Sequence, residues 1–271
     1  MGRIDLHPMS LRFRLVPHMV KPQISAESGM PTPYGLRVIE SCVTCPHREE
    51  RLFCNLSPEA VQKLSKITSR ATYPKGAVLF VESQEPLGVF ILCNGRAKLS
   101  TSSADGRGLI LRIAEAGEVL GLSGAISGKP YILTAEALEP VQANFIARQD
   151  LLQFLGDNAQ AALRAAELLG ENYHAAFAEV RNIGLSQSAS EKLARFLLEW
   201  IDGHRDRKNP DRAMLTLTHE EIAAMIGASR ETVTRLFSAF KKKGLLQVTG
   251  SSLILRDRAA FENLVINSGH L

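Results

Sequence analysis

The apolar positions along the chain change period several times, and each change marks an expected element. Residues 1–35 carry Pro8, Pro17, Pro22, Pro31 and Pro33 without sustained periodicity and read as a disordered tail. Met30 precedes the first coherent segment and is a candidate start codon. At Ser57-Pro58-Glu59-Ala60 the sequence predicts a helix start. Ser caps free amides, Pro suits the first turn, and Glu favours the positive dipole end. Val61, Leu64 and Ile67 give that helix an apolar stripe. From 72 to 148 the pattern becomes short apolar runs between turns. The runs are Val78-Leu79-Phe80-Val81, Val89-Phe90-Ile91-Leu92, Leu109-Ile110-Leu111 and Asn144-Phe145-Ile146. Glycine-bearing turns at Pro74-Lys75-Gly76, Asn94-Gly95, Asp105-Gly106, Gly117 and Gly128-Lys129-Pro130 separate them, which predicts an antiparallel barrel or sandwich. Asn94-Gly95 is expected to turn a hairpin, because both residues tolerate positive φ.

Beyond 158 the period becomes helical. Ala162, Ala166, Leu169, Tyr173, Ala176, Val180 and Ile183 recur at alternating spacings of four and three, which is a heptad seam. Such a helix either packs on its own β domain or pairs with a second copy. The narrow seam and the length of the pattern favour pairing, and the alanines would let two helices approach closely. The last unit, 186–271, opens with a helix marked by Leu193, Phe196, Leu197 and Trp200. Two short helices follow, then a hairpin wing around Leu245-Leu246-Gln247-Val248 and Leu253-Ile254-Leu255 with Gly250 between. The fold class is α+β, in domains 36–157, 158–185 and 186–271.

The two short helices carry the most specific signal. Thr218 is a natural N-cap, with Glu221 three residues later as its capping-box partner. Ile222, Ala223 and Ile226 should face inward, and Gly227 should close the helix with positive φ. Ser229 caps the second helix, which Val233, Leu236, Phe237 and Phe240 anchor to the core. Its other face presents Arg230, Glu231, Thr234 and Arg235, the residue types that read base edges from a major groove. Lys241, Lys242 and Lys243 follow at its end, placed for phosphates and for the negative dipole end. Thr218 and Ser229, at the two helix starts, belong to the same candidate DNA-facing set. A solvated amphipathic helix is the plainer reading. Caps, glycine turn, apolar anchors and basic face agree with one another and favour DNA.

Charge and composition narrow this further. The net charge of +4 is compatible with a nucleic-acid partner without requiring one. No run of about 18 apolar residues is present, so no membrane span is expected. The N-terminus lacks a secretory signal, which places the protein in the cytoplasm. There the four cysteines should stay reduced or hold a metal. An enzyme is not expected, because each candidate motif fails at a named residue. His219-Glu220 lacks a second zinc-binding His, because Ala223 stands in its place. His47-Arg48-Glu49 follows its cysteine pair instead of preceding it, against the deaminase order. Gly106-Arg107-Gly108 lacks the third glycine of a dinucleotide loop.

The chain resembles the Crp/Fnr family of bacterial regulators over roughly 42–265. The likeness rests on Ser229-Arg230-Glu231-Thr232-Val233-Thr234-Arg235, on Pro74-Lys75-Gly76, on Cys93-Asn94-Gly95-Arg96-Ala97-Lys98-Leu99, and on the order of parts. It implies an N-terminal antiparallel β-roll of the cyclic-nucleotide-binding jelly-roll kind, a long dimerisation helix and a C-terminal winged helix-turn-helix. It implies a homodimer that binds a two-fold symmetric site on double-stranded DNA and acts on RNA polymerase. Arg230, Glu231 and Arg235 fall where the family's base-reading residues lie. Arg230 brings the helix nearer to the cyclic-AMP receptor branch than to the oxygen-sensing branch.

For the signal, the resemblance offers two precedents. Cyclic-AMP receptors hold ribose and phosphate with a Gly-Glu pair and a downstream Arg. Here Leu122 replaces the Glu in Gly121-Leu122-Ser123, and Tyr131-Ile132-Leu133-Thr134 holds no Arg, so cyclic nucleotide is not expected. Cys42, Cys45 and Cys54 resemble the N-terminal cluster motif of oxygen-sensing relatives, which implies an oxygen-labile iron–sulfur cluster. The fourth ligand is open. Asn144 aligns where the family has its fourth ligand and is a poor donor. His47 is a local alternative, and Cys93 reads as a buried small apolar residue at a turn elsewhere. Zinc, a thiol switch, and cysteines that only pack are the other readings.

Overall fold

The computed structural model describes residues 33–102, 108–185, 188–204, 206 and 209–266; side chains of 178–185 are outside this set. Of the expected tail, 1–35, residues 1–32 lie outside the described residues, and Pro33–Gly35 form a short 3-10 turn instead. After the cysteine-bearing segment, Ser57 caps α1 (Pro58–Lys66), its hydroxyl accepting from the Ala60 amide at 3.3 Å. Two antiparallel sheets follow. One orders β1 (Thr68–Tyr73), β8 (Val141–Ala147), β3 (Gly88–Asn94) and β6 (Val119–Leu120). The other orders β2 (Val78–Phe80), β7 (Thr134–Ala137), β4 (Ala97–Ser102) and β5 (Gly108–Ala114).

Strand alternation divides the core in two. On β3, Phe90 and Leu92 point between the sheets, where they meet Phe80, Leu99, Leu120 and Tyr131. Val89, Ile91 and Cys93 point outward, onto α1, α2 (Leu122–Ser127), α3 (Arg148–Asp157) and α4 (Ala159–Leu185). With both faces covered, β3 is buried along nearly its whole length. That explains its continuous apolar run.

Asn94-Gly95 does not turn a hairpin within one sheet. β3 and β4 belong to different sheets, and the pair is a corner between them. Only Gly95 takes positive φ, at 78°, and a Cβ there would lie 2.4 Å from the Pro140 carbonyl oxygen. Asn94 stays extended. Its side chain donates to the Arg37 carbonyl and accepts from the Gly95 amide.

On α4 the expected seam residues divide between two faces. Ala161 and Ala165 are buried on the β-roll, and Leu168 and Leu169 pack against the same core. Tyr173 and Ala176 are exposed, and the side chains of Val180 and Ile183 lie outside the described residues. The exposed stripe runs Leu163, Ala166, Gly170, Tyr173, Phe177, again at spacings of three and four. Leu163, Tyr173 and Phe177 are about 60% exposed. No helix among the described residues is long and apolar enough to cross a membrane.

The C-terminal unit packs α5 (Ala189–Gly203), α6 (His219–Ile226), α7 (Arg230–Lys242) and α8 (Arg258–Ile266) with a small sheet of β9 (Arg212–Met214), β10 (Leu246–Thr249) and β11 (Ser252–Leu255). Leu193, Leu197, Ile222, Val233 and Phe261 form its centre. β9 and α8 close this core and carried no strong periodic signal. Ile113 and Leu138 of the β-roll join the same cluster, so the two units share apolar contact.

Candidate functional site

The expected local chemistry of α6 and α7 is in place. The Thr218 hydroxyl accepts from the Glu221 amide, and the Glu221 carboxylate accepts from the Thr218 amide at 2.7 Å. Gly227 closes α6 at φ 63°, a conformation that costs a side-chain-bearing residue energy. Ser229 caps α7 through the Thr232 amide at 3.2 Å. Val233, Phe237 and Phe240 are buried. This fixes the rotation of α7, so that Arg230, Glu231, Thr234, Arg235 and Ser238 line one open, exposed groove. Lys241 and Lys242 continue the exposed face. Free amides at the start of α7, the Ser229 hydroxyl and the Arg230 charge hold the Glu231 carboxyl below its ordinary range. It therefore presents an ionised acceptor, as cytosine N4 requires.

His219 was missed as a member of this site. Its Nδ1 lies 2.9 Å from the Thr234 hydroxyl, and its ring stacks on Phe237 at 4.8 Å. It therefore positions Thr234 from the first turn of α6. Burial, with the Lys241 and Arg230 charges, lowers its pKa and favours neutral imidazole. Nothing in the sequence singled out that role.

A second site lies between the N-terminal segment and the outer face of the first sheet. Cys42, Cys45, Cys54 and Cys93 line a single cleft with Arg48, Arg51 and Asn144. All four thiols are free. Cys93 is thus not at a separate turn. It stands at a bulge in β3, where Leu92 pairs with Ala143 and Asn94 already pairs with Gln142. Across that register shift Cys93 keeps the outward face that it shares with Val89 and Ile91. His47, the local alternative, sits 3.6 Å from Glu50 and does not line the cleft. Asn144 does line it, its amide nitrogen 3.8 Å from Cys42 Sγ. Burial, then the neighbouring Cys45, raises the Cys42 pKa; burial pushes Cys54 and Cys93 up to about 12. Among the described residues no three His, Cys, Asp or Glu side chains stand in an arrangement ready to hold a metal ion.

The region aligned with a nucleotide pocket is filled by side chains. Leu122 is buried in α2. The Tyr131 ring stacks on Phe80 at 4.2 Å, and its hydroxyl donates to the Gly88 carbonyl at 2.6 Å.

Comparison with known proteins agrees with both halves. Residues 191–264 match the Crp-like helix-turn-helix domain, and residues 70–158 match the cyclic nucleotide-binding domain. The chain is similar to the CRP-like cAMP-activated global transcriptional regulator of Mycobacterium tuberculosis strain H37Rv. The two are 23% identical over 76% of this chain and 92% of the relative. It is similar to the nitrogen fixation regulation protein FixK of Bradyrhizobium diazoefficiens, 25% identical over 82% of this chain and 93% of the relative. Among solved structures, it resembles FixK2 from Bradyrhizobium japonicum at TM-score 0.62 and 26% identity, over 73% of this chain and 97% of that one. With a β-roll, a long helix and an intact DNA-reading helix in this order, the chain belongs to the Crp/Fnr family of DNA-binding transcription regulators.

Proposed function

We propose that the chain acts as a homodimer that reads a palindromic promoter site through α7 and answers to a metal or thiol signal at the cysteine cleft. Residues 36–157 would sense, 158–185 would dimerise and 186–271 would read DNA. The observation that carries this reading is the exposed face of Arg230, Glu231, Thr234 and Arg235 on a capped, anchored helix. Dimerisation is supported by the α4 stripe of Leu163, Ala166, Gly170, Tyr173 and Phe177, an apolar face with small residues where two backbones would meet. Two-fold symmetry then calls for half-sites about one helical turn, ~34–36 Å, apart. RNA polymerase is the partner that a promoter-bound regulator would contact.

For the signal, a cyclic nucleotide is disfavoured by the packed Leu122 and Tyr131. Cys42, Cys45 and Cys54 would hold an iron–sulfur cluster, and the donor set fits, because thiolates are the common ligands of such centres. When bound, such a cluster would supply an oxygen-labile tie between the N-terminal segment and the β-roll. The segment's own residues do the rest. Ile39 exchanges two hydrogen bonds with the buried Gln142 amide, at 2.7 and 2.8 Å, and clamps the segment to β8. A change at the cysteines is thereby passed to the sheet on which α3 and α4 rest.

The test is a gel-shift series on a random-sequence duplex library, run with and without oxygen. A selected palindrome, bound more tightly without oxygen, is the expected result. Asymmetric selected sites would overturn the dimer reading, and oxygen-independent binding would overturn the signal.

A further inference from the structure

Three features of the cysteine cleft point the same way. The first is Cys93. Side chains alternate across β3, so Cys93 shares the outward face of Val89 and Ile91 and meets the segment that carries Cys42, Cys45 and Cys54. The β3 bulge falls at this residue. The second is Arg51. It is only 7% exposed, and among the described residues it has no carboxylate partner. Its guanidinium donates to the Cys93 carbonyl at 2.8 Å, the group at the bulge. A buried cation without an anion is costly, and the charge of Arg51 acts on the Cys54 and Cys93 thiols. The third is Asn144, 2% exposed, whose Oδ1 is buried without a hydrogen-bond partner at the same cleft. Buried polar atoms are almost always satisfied, so this one calls for a partner in the cleft, such as water or an ion.

We infer that Cys93 supplies the fourth thiolate, so that Cys42, Cys45, Cys54 and Cys93 ligate one iron–sulfur cluster with Arg51 as its buried counter-charge. This rests on the reading of the three N-terminal cysteines given above and deepens it. Four thiolates complete the ligand set without a nitrogen or oxygen donor, which Asn144 could offer only weakly. The net negative charge of a thiolate-bound cluster answers the unpaired Arg51. All four thiols line one shared cleft, which places Cys93 with the three cysteines of the N-terminal segment. The cleft is nearly closed, with about 20 Å³ open to the centre of a water molecule. A cluster therefore enters by outward movement of the segment over residues 42–54, which is built from turns and one short 3-10 stretch rather than from ladder-bonded strands.

The experiment uses the full chain, purified without oxygen and reconstituted with ferrous iron and sulfide. Iron, sulfide and zinc are assayed, and visible absorption and resonance Raman spectra are recorded. The wild-type chain should carry iron and sulfide in equal amounts, with a vibrational pattern of all-thiolate ligation. Cys45→Ser should lose the cluster. Cys93→Ser should lose it too, or release iron to a chelator more than about tenfold faster, since loss of even an outer-shell partner weakens metal sites tenfold or more. Asn144→Ala should keep iron content and spectrum. Cys93→Ala carries the comparison if the serine variant fails to fold, and melting of the metal-free forms identifies which variants fold. Wild-type iron content, spectrum and chelator lifetime in Cys93→Ala would overturn the role of Cys93 while sparing the three-cysteine reading. So would a Raman pattern of mixed ligation in the wild-type chain, which needs no variant. An iron-free wild-type chain would overturn both. Stoichiometric zinc lost in Cys93→Ser would support the fourth ligand and overturn the cluster.

Discussion

Arg96 and Thr216 join the two halves of the molecule: the Arg96 guanidinium donates to Thr216 Oγ1 at 2.9 Å while gripping Glu139 through two bonds of 3.0 and 2.8 Å. Arg96 leaves the β3–β4 corner, and Thr216 precedes α6, so a sensor-side turn touches the entrance of the DNA-reading motif. Apolar contact of Ile113 and Leu138 with the C-terminal core lies beside it. Arg96→Ala should remove charge-assisted bonds worth about 1.5–3 kcal/mol each when buried, less here because Glu139 and Thr216 are partly exposed. The expected result is faster amide exchange at 215–218 and faster proteolytic cutting between the domains. Thr216→Val keeps the ion pair and should move both readouts by less. Unchanged exchange in Arg96→Ala would mean that the apolar contact alone holds the domains.

Base reading has its own signature. Arg230→Ala or Arg235→Ala should each cost ~1–3 kcal/mol on the selected site and relax preference at one G·C pair. Lys241→Ala and Lys242→Ala should weaken binding to all sequences alike and flatten the salt dependence by about one ion each. Equal losses on specific and random DNA for the arginine variants would restrict them to phosphate contact.

The α6–α7 site was legible because each signal there is local. Caps, glycine turn and apolar anchors act within a few residues, so Thr218, Gly227 and Ser229 declare their roles in sequence. The cysteine cleft was only half legible. Cys42, Cys45 and Cys54 lie near one another in the chain, but Cys93 reaches them through a strand. Its parity with Val89 and Ile91 was the available clue, and the apolar run of a strand covered on both faces hid it. Asn94-Gly95 failed for a related reason: a local turn signal does not say whether the strands that it joins share a sheet. On α4 a heptad pattern cannot show which of two adjacent stripes faces the β-roll, and Leu169, expected on the seam, packs against the β-roll core.

The exposed stripe on α4 supplies the residues for the dimer prediction. Phe177→Glu or Tyr173→Glu should bury unpaired charge at the exposed stripe and split the dimer, at a cost of ~3–5 kcal/mol. Leu169→Ala should instead lower the melting temperature of the β-roll while leaving a dimer in sedimentation. A dimeric Phe177→Glu chain would exclude this stripe as the interface.

His219 makes the C-terminal unit sensitive to acid. Its folded pKa lies below the ordinary histidine value of about 6.5. Above that value both folded and unfolded forms are neutral, and the full contribution is present. As pH falls below it, the unfolded chain takes up the proton first, so stability declines until the folded pKa is passed. Urea midpoints measured from pH 7.5 to 5 should therefore fall more steeply for the wild-type chain than for His219→Gln. Parallel curves would show that protonation of His219 does not couple to folding.

Cyclic nucleotide binding offers a strict check on the sensor. A ribose and a cyclic phosphate require a carboxylate acceptor and a cation, and the aligned positions hold Leu122 and the Tyr131–Thr134 stretch without Arg. Here Tyr131 ties its hydroxyl to both the Gly88 amide and carbonyl and fills space against Phe80. A ligand entering there would have to break those bonds and leave its own phosphate without a charged partner. Tyr131→Phe should lower stability by about 1–3 kcal/mol in denaturant titration, because the Gly88 groups lose a buried partner. Calorimetry with cyclic AMP and cyclic GMP should give no binding heat, and neither should change DNA affinity in the gel-shift assay. Micromolar binding of either nucleotide would mean that Tyr131 swings out and that the pocket is latent rather than lost.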